Sequence, residues 1–210
     1  KRQLNMPLIL PGNVGSATAA TGFDVANSVR FQNAQLLRTN SGSTSTNIDK
    51  YTISVWLKRS KLGVDSNIIA DTDCSNNYYQ IYFKSDDTIR WQEYLSGSQS
   101  GALITNRKFR DVGAWYNLTF IWNTTSGTAG DRIQLWVNGV RETSFATQTN
   151  PDQNDSSTLG GAFLTEIGRS PGGGGENYLN GYMAETVYQN GSATTPVDKF
   201  GEFDEDSGIW

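Results

Sequence analysis

Histidine is absent from the 210 residues, and cysteine occurs once. Without imidazole there is no Ser-His or Cys-His nucleophilic centre and no histidine metal ligand. A lone Cys74 excludes an intramolecular disulfide and a cysteine-based zinc cluster. No apolar run approaches the ~18 residues of a membrane span, so membrane insertion is not expected. The stretch MPLILPG at 6–12 is too short, and too interrupted by proline, for a secretory hydrophobic region. Charge is also sparse, with 17 basic against 21 acidic residues. Five of those acids and one base, Lys199, fall between Asp198 and Asp206, which leaves a neutral body (17 − 1 basic, 21 − 5 acidic). With no basic stripe, nucleic acid is not an expected partner.

What the chain has in quantity is turn-forming and large apolar residues. Gly, Ser, Thr and Asn number 22, 20, 21 and 18, types that favour turns, edges and polar surface over helix interiors. Against them stand 6 Trp, 9 Tyr and 9 Phe, each able to bury a large area. A disordered chain would lack those aromatics. The composition describes a folded protein rich in strands and loops.

The alternation of side chains supports that description. Residues 1–27 carry Pro7, Pro11, Gly12, Gly15 and Gly22 and no periodicity, and read as an extended arm or linker. In Tyr51–Lys58, Tyr51, Ile53, Val55 and Leu57 share one face and Thr52, Ser54, Trp56 and Lys58 the other. Tyr116, Leu118, Phe120 and Trp122 alternate in the same way with Trp115, Asn117, Thr119 and Ile121. Shorter strands are predicted at Asn67–Ala70, Tyr78–Phe83, Thr88–Glu93, Asp131–Val137, Glu166–Arg169 and Leu179–Tyr188. Asn138-Gly139 is the dipeptide of a tight type I′ hairpin. Positions 146–162 read as polar and irregular, and Gly172–Gly175 as a flexible loop. Ten to twelve short strands without a convincing helix predict an all-β, antiparallel two-sheet β-sandwich of jelly-roll type. The domain is expected over 28–197, followed by an acidic, solvated segment at 198–210 that continues into a longer chain.

Several phrases in fixed order resemble the concanavalin A-like lectin/laminin G-like superfamily. They are Ser28–Phe31, Tyr51–Ser60, Arg110–Leu118, Arg132–Gly139, Glu166–Arg169 and Asn180–Glu185. The closing stretch, Gly181–Gly191 with Phe200–Phe203 and Gly208–Trp210, resembles a version found in virion structural proteins of marine bacteriophages. The resemblance implies two face-to-face antiparallel sheets and a role in adhesion, carbohydrate binding or structure.

Glycosidases of this superfamily carry two acids in the pattern E-x-D-x-x-E, one as nucleophile and one as acid/base. Here Glu202-Phe-Asp204 is followed at the third position by Ser207, so the second carboxylate is missing and no enzyme is expected. Asp71 and Asp73 with Asn76 and Asn77 offer oxygen ligands compatible with a Ca²⁺ loop, although the spacing of a 12-residue calcium loop is not met. Turn formation is the plainer role for these residues. For sugars, aromatic faces beside amides and carboxylates are the relevant pattern. It singles out Asp71, Asn76, Asn77 and Tyr78 together with Trp91 and Tyr94.

The sequence thus reads as a non-catalytic virion domain, of a fibre, spike or capsid decoration protein, exposed on the particle. Its expected partners are other capsid or tail proteins, further copies of itself in a homo-oligomer, and host-surface polysaccharide. The alternatives are a soluble or cell-surface glycan-binding module, extracellular in location, and a degenerate glycan hydrolase.

Overall fold

The computed structural model describes residues 27–32, 37–40, 48–72, 76–159, 164–170 and 177–210. Most of the N-terminal arm, Asp73, Cys74 and the Gly172–Gly175 run lie outside the described residues. Among the described residues there are thirteen strands, β1 (Val29–Phe31), β2 (Leu37–Asn40), β3 (Lys50–Arg59), β4 (Ser66–Thr72), β5 (Tyr78–Phe83), β6 (Thr88–Leu95), β7 (Ser98–Lys108), β8 (Tyr116–Asn123), β9 (Ile133–Val137), β10 (Val140–Arg141), β11 (Phe145–Thr149), β12 (Leu164–Ile167) and β13 (Gly181–Asn190), with a 3-10 turn at Ala129–Asp131 and a single α-helical turn, α1 (Pro196–Lys199), after the last strand. They form a six-stranded sheet, β1-β13-β3-β8-β9-β10, and a seven-stranded sheet, β11-β7-β6-β5-β4-β12-β2. Every strand pairing is antiparallel. This is the sandwich that the alternation predicts.

Three strands correct the sequence reading, the first being β2 (Leu37–Asn40), which pairs with β12 where no strand is predicted. β7 spans eleven residues where no strand was expected, and β11 lies at the start of the stretch read as irregular. Both rely on pairing with a neighbour more than on their own pattern, and each pairing is broken by a β-bulge that disturbs the two-residue period.

The core is built from few, large side chains. Trp91, Trp122, Tyr51, Tyr79, Phe83, Phe109 and Phe120 are all less than 2 % exposed. Their rings interlock: Tyr51 stacks on Trp122 at 6.1 Å, and Trp91 meets Phe120 edge-on at 5.5 Å. Each such burial contributes about 2–3 kcal/mol or more, which offsets the small apolar share of the composition. Trp56 and Trp136 alternate the other way and lie half-buried on the outer face.

At one end of the sandwich, Arg59 is 1 % exposed and donates to Asp87 Oδ1 (3.1 Å) and to the Phe109 carbonyl (2.6 Å), its guanidinium 4.2 Å over the Phe83 ring. Asp87 also accepts from Gly63 N–H (3.0 Å) and Arg110 Nε (3.0 Å), so one carboxylate ties three loops together.

The C-terminal segment does more than trail into solvent. Thr194 N–H donates to Thr52 Oγ1 (2.9 Å), and Thr52 donates to the Ser192 carbonyl (2.8 Å). The chain then reaches the far end of β9, where Trp210 packs on the Asn138-Gly139 turn. It therefore crosses the outer face of the six-stranded sheet, and the outward-facing Thr52, Ser54, Asn117, Thr119 and Ile121 are 2 % exposed or less. The acids at 198, 202, 205 and 206 remain exposed, as the sequence implies. Gly139 has φ +73°, and a Cβ there would lie 2.2 Å from Trp210 Cε3, so both the turn and the contact require glycine.

Candidate functional site

Residues paired across adjacent strands share a face, and this register sorts the predicted site residues into two groups. In the first row, Thr165, Asp71, Tyr79, Glu93 and Gly101 are successive partners across the seven-stranded sheet. Tyr79 points into the core, so Asp71 and Glu93 do as well, and both are 0 % exposed. Trp91, two residues before Glu93, faces inward for the same reason and is 1 % exposed. Asp71 and Trp91 are thus removed from the surface glycan site that the sequence assigned to them. Asp71 Oδ2 accepts from Thr165 Oγ1 (2.8 Å), and the carboxylate faces the sandwich interior, away from any exposed calcium loop. Its predicted partner Asp73 lies outside the described residues.

Glu93 closes this end of the sandwich. It accepts from the Ser157 hydroxyl (2.9 Å) and from the Thr158 backbone N–H, which holds the 155–159 loop against the sheet. Burial pushes its carboxyl up to about 8, and the nearby charge of Asp71 adds to the shift; the donated hydrogen bonds oppose it but are outweighed. Burial likewise raises the hydroxyls of Tyr51 and Tyr79, which meet edge-on at 6.1 Å beside it.

The second row faces outward. Tyr78, Tyr94 and Gln99 are successive partners on β5, β6 and β7. The Tyr78 and Tyr94 rings stack at 4.4 Å and 15°, both half-buried. Gln99 Nε2 donates to Tyr94 Oη (3.3 Å). Burial and the Tyr94 hydroxyl raise Tyr78 to about 12, so its phenol is neutral at physiological pH. Asn76 and Asn77 form the rim: Gly97 N–H donates to the Asn76 carbonyl (2.9 Å) and Ser96 N–H to Asn77 Oδ1 (2.7 Å). Those bonds fix the β6–β7 turn against the β4–β5 loop. Next in the same face, Gln92 Nε2 donates to Gln80 Oε1 (2.8 Å), and Gln80 Nε2 to Ser170 Oγ (2.7 Å).

The structure therefore brings Asn76, Asn77, Tyr78 and Tyr94 together and adds Gln99, which the sequence reading missed along with β7. The overlooked signal was Ser96-Gly97, a turn dipeptide whose φ values of +52° and +78° suit a tight hairpin. Chemically this is a ridge of two parallel rings flanked by amides, able to stack on C–H faces and exchange hydrogen bonds with hydroxyls. Among the described residues, no group of three acidic or cysteine side chains is placed to hold a metal ion.

A family model described as the concanavalin A-like lectin/glucanases superfamily matches residues 31–195. The chain belongs to this superfamily. Solved structures agree on the fold. A native heptameric SAP-like pentraxin from Limulus polyphemus superposes with a TM-score of 0.56 at 18 % identity, over 82 % of this chain and 80 % of that one. Domain 4 of AbnA, a GH43 extracellular arabinanase from Geobacillus stearothermophilus solved with arabinotriose, gives 0.51 at 15 % identity, over 74 % of this chain and 66 % of that one. Mouse laminin alpha1 domains LG4-5 give 0.54 at 12 % identity, over 79 % and 42 %. No curated protein matches the sequence. The matched residues thus include both rows just described, while the similarity to the solved structures extends to fold alone.

Proposed function

We propose that this chain is a non-catalytic carbohydrate-binding module whose glycan surface is the outer face of the seven-stranded sheet at the Tyr78–Tyr94 ridge. One observation carries this reading: two stacked rings stand on an open face with Gln99, Asn76 and Asn77 around them. The superfamily's lectin members and the arabinotriose-bound arabinanase domain support the ligand class. The non-catalytic part is supported by the incomplete acid pattern at 202–207, by Asp71 and Glu93, each 0 % exposed and turned into the sandwich, and by Glu166, 0 % exposed and 3.7 Å from the Arg169 guanidinium. The wider setting we propose is the exposed surface of a bacteriophage particle, in a fibre, spike or decoration protein, which rests on the resemblance of the 181–210 stretch.

A glycan array probed with multimerised protein tests this. Wild type binds a bacterial-surface polysaccharide, and Tyr94→Ala lowers the signal about tenfold, the loss of ~1.4 kcal/mol of stacking and hydrogen bonding. An array silent for wild type would overturn the glycan reading in favour of a purely structural decoration role. Locating the chain in a particle reconstruction tests the setting.

A further inference from the structure

Register carries the outer face of the seven-stranded sheet beyond the Tyr78–Tyr94 ridge. Two residues along each strand, Gln80 pairs with Gln92, and Gln92 with Ala102 of β7. Two residues further, Tyr82 pairs with Arg90, and Arg90 with Ile104. Alternation puts Tyr82 and Arg90 on the same outward side as Tyr78 and Tyr94, four residues or about 13 Å along the strands. The row between them is low and satisfied within itself. Gln92 donates to Gln80 and Gln80 to Ser170, while Ala102 is 1 % exposed.

Arg90 is the odd member of this face. Among the described residues, the other arginines that are at least partly buried are committed to partners. Arg59, Arg141 and Arg169 lie 3.1, 2.8 and 3.7 Å from carboxylates, and Arg132 donates to the Ser126 and Pro151 carbonyls. Arg90, also partly buried, meets no carboxylate among the described residues, and its enclosed Nε has no hydrogen-bond partner. Nearby charges are taken: Asp65 accepts from Ser85 N–H (2.7 Å), and Lys84 pairs with Asp86 (3.1 Å). Tyr82 supplies only a neutral neighbour. Burial raises its phenol, and the Arg90 charge beside it opposes the rise. A partly desolvated cation without a counter-ion is a cost that a bound anion would relieve.

We propose that the ligand of this face is an acidic polysaccharide, a uronate chain lying along the strands with a sugar ring on the Tyr78–Tyr94 ridge and a carboxylate on the Arg90 guanidinium. The assignment rests on the glycan reading above and narrows it. Ring stacking is indifferent to charge, so the ridge selects a sugar face and Arg90 selects an acid. A guanidinium presents a planar fork that matches a carboxylate with two parallel hydrogen bonds. The ~13 Å from ring pair to fork exceeds one sugar, so the ligand is an oligomer. The body of the chain has no excess of basic residues. Preference for an acid therefore comes from one placed cation and not from a general positive field.

The test compares polygalacturonate with its methyl ester, which keeps the sugar chain and removes the charge, using the full chain in multimerised form. Wild type is expected to be retained about tenfold more strongly on the acid than on the ester. The gap should close as salt approaches about 1 M, where charges are screened within ~3 Å. Arg90→Gln should retain both polymers equally, at the level of the ester, with an unchanged melting temperature, and Tyr94→Ala should weaken both. Equal retention of acid and ester by wild type overturns the proposal without any variant. So does a preference for the acid that survives Arg90→Gln. The glycan reading is judged separately. Wild type silent on both polymers but bound to neutral glycans on the array, with loss in Tyr94→Ala, overturns the acidic assignment alone. A silent array overturns both.

Discussion

Two buried carboxyls at opposite ends of the sandwich show how single groups set stability. Glu93 is enclosed with its carboxyl raised to about 8 from the ordinary 4.5, so the folded state keeps a proton that the unfolded chain releases. Below about pH 4.5 both states are protonated and no penalty exists. From there to about pH 8 stability falls, at most about 1.4 kcal/mol per pH unit, and above that it is level. Glu93→Gln preserves the acceptor for Thr158 N–H and removes the ionisation. Urea midpoints measured from pH 5 to 8 should therefore decline for wild type and flatten for the variant. Asp87 works in the opposite sense, because its charge is the partner that the 1 %-exposed Arg59 requires. Asp87→Ala leaves that guanidinium buried without its counter-ion and is expected to cost about 3–5 kcal/mol in urea unfolding. A loss under 1 kcal/mol would mean that the Phe109 carbonyl and the Phe83 ring satisfy Arg59 by themselves.

At the scale of elements, what could be read from the sequence followed the strength of the alternation. β3 and β8 were legible because apolar and polar residues exchange at most positions, and β5, rich in aromatic residues, falls on the predicted limits of Tyr78–Phe83. β7 was not, since Ser98-Gln-Ser-Gly101 offers little apolar signal and its bulges shift the phase. The same limits divided the candidate site. Tyr78 and Tyr94 emerged because aromatics beside amides stand out in a string of letters. The inward turn of Asp71 and Trp91 depends on strand register, which residue type does not specify. Nor did the sequence show that the polar face of β3 and β8 is covered, because Thr52, Ser54, Asn117 and Thr119 have the composition of a wet surface. The covering segment is held by Trp210 against Gly139, and a double-mutant cycle can measure that contact. Trp210→Ala is expected to cost about 1–2 kcal/mol, less than the 3–5 of a fully buried aromatic. Gly139→Ala adds backbone strain and a clash with the ring. In the pair the clash is relieved, so the combined loss should fall short of the sum of the singles. Strict additivity in calorimetric melts would mean that Trp210 does not seat on the turn.

Across the whole molecule, the two sheets present outer faces of different character. One lies under the C-terminal segment with its exposed acids, and the other carries the Tyr78–Tyr94 ridge. The aromatic core between them separates the two surfaces by about 10 Å plus the side chains on each outer face. No described hydrogen bond or ion pair joins the ridge residues to the segment from 191 to 210. Ligand binding and attachment of that segment should therefore be independent. A single ridge offers one or two sugar contacts and about millimolar affinity, near −4 kcal/mol, so useful adhesion requires several copies presented together. The prediction is a crossed set of variants on multimerised protein. Tyr94→Ala should lower glycan retention about tenfold and leave the melting temperature within about 1 °C, since a half-exposed ring contributes little to the core. Trp210→Ala should lower the melting temperature and leave glycan retention unchanged. The double variant should show both effects at their single-variant sizes. Loss of glycan retention in folded Trp210→Ala protein would instead show that the two faces communicate through the sheets, and that the segment shapes the binding surface it does not touch.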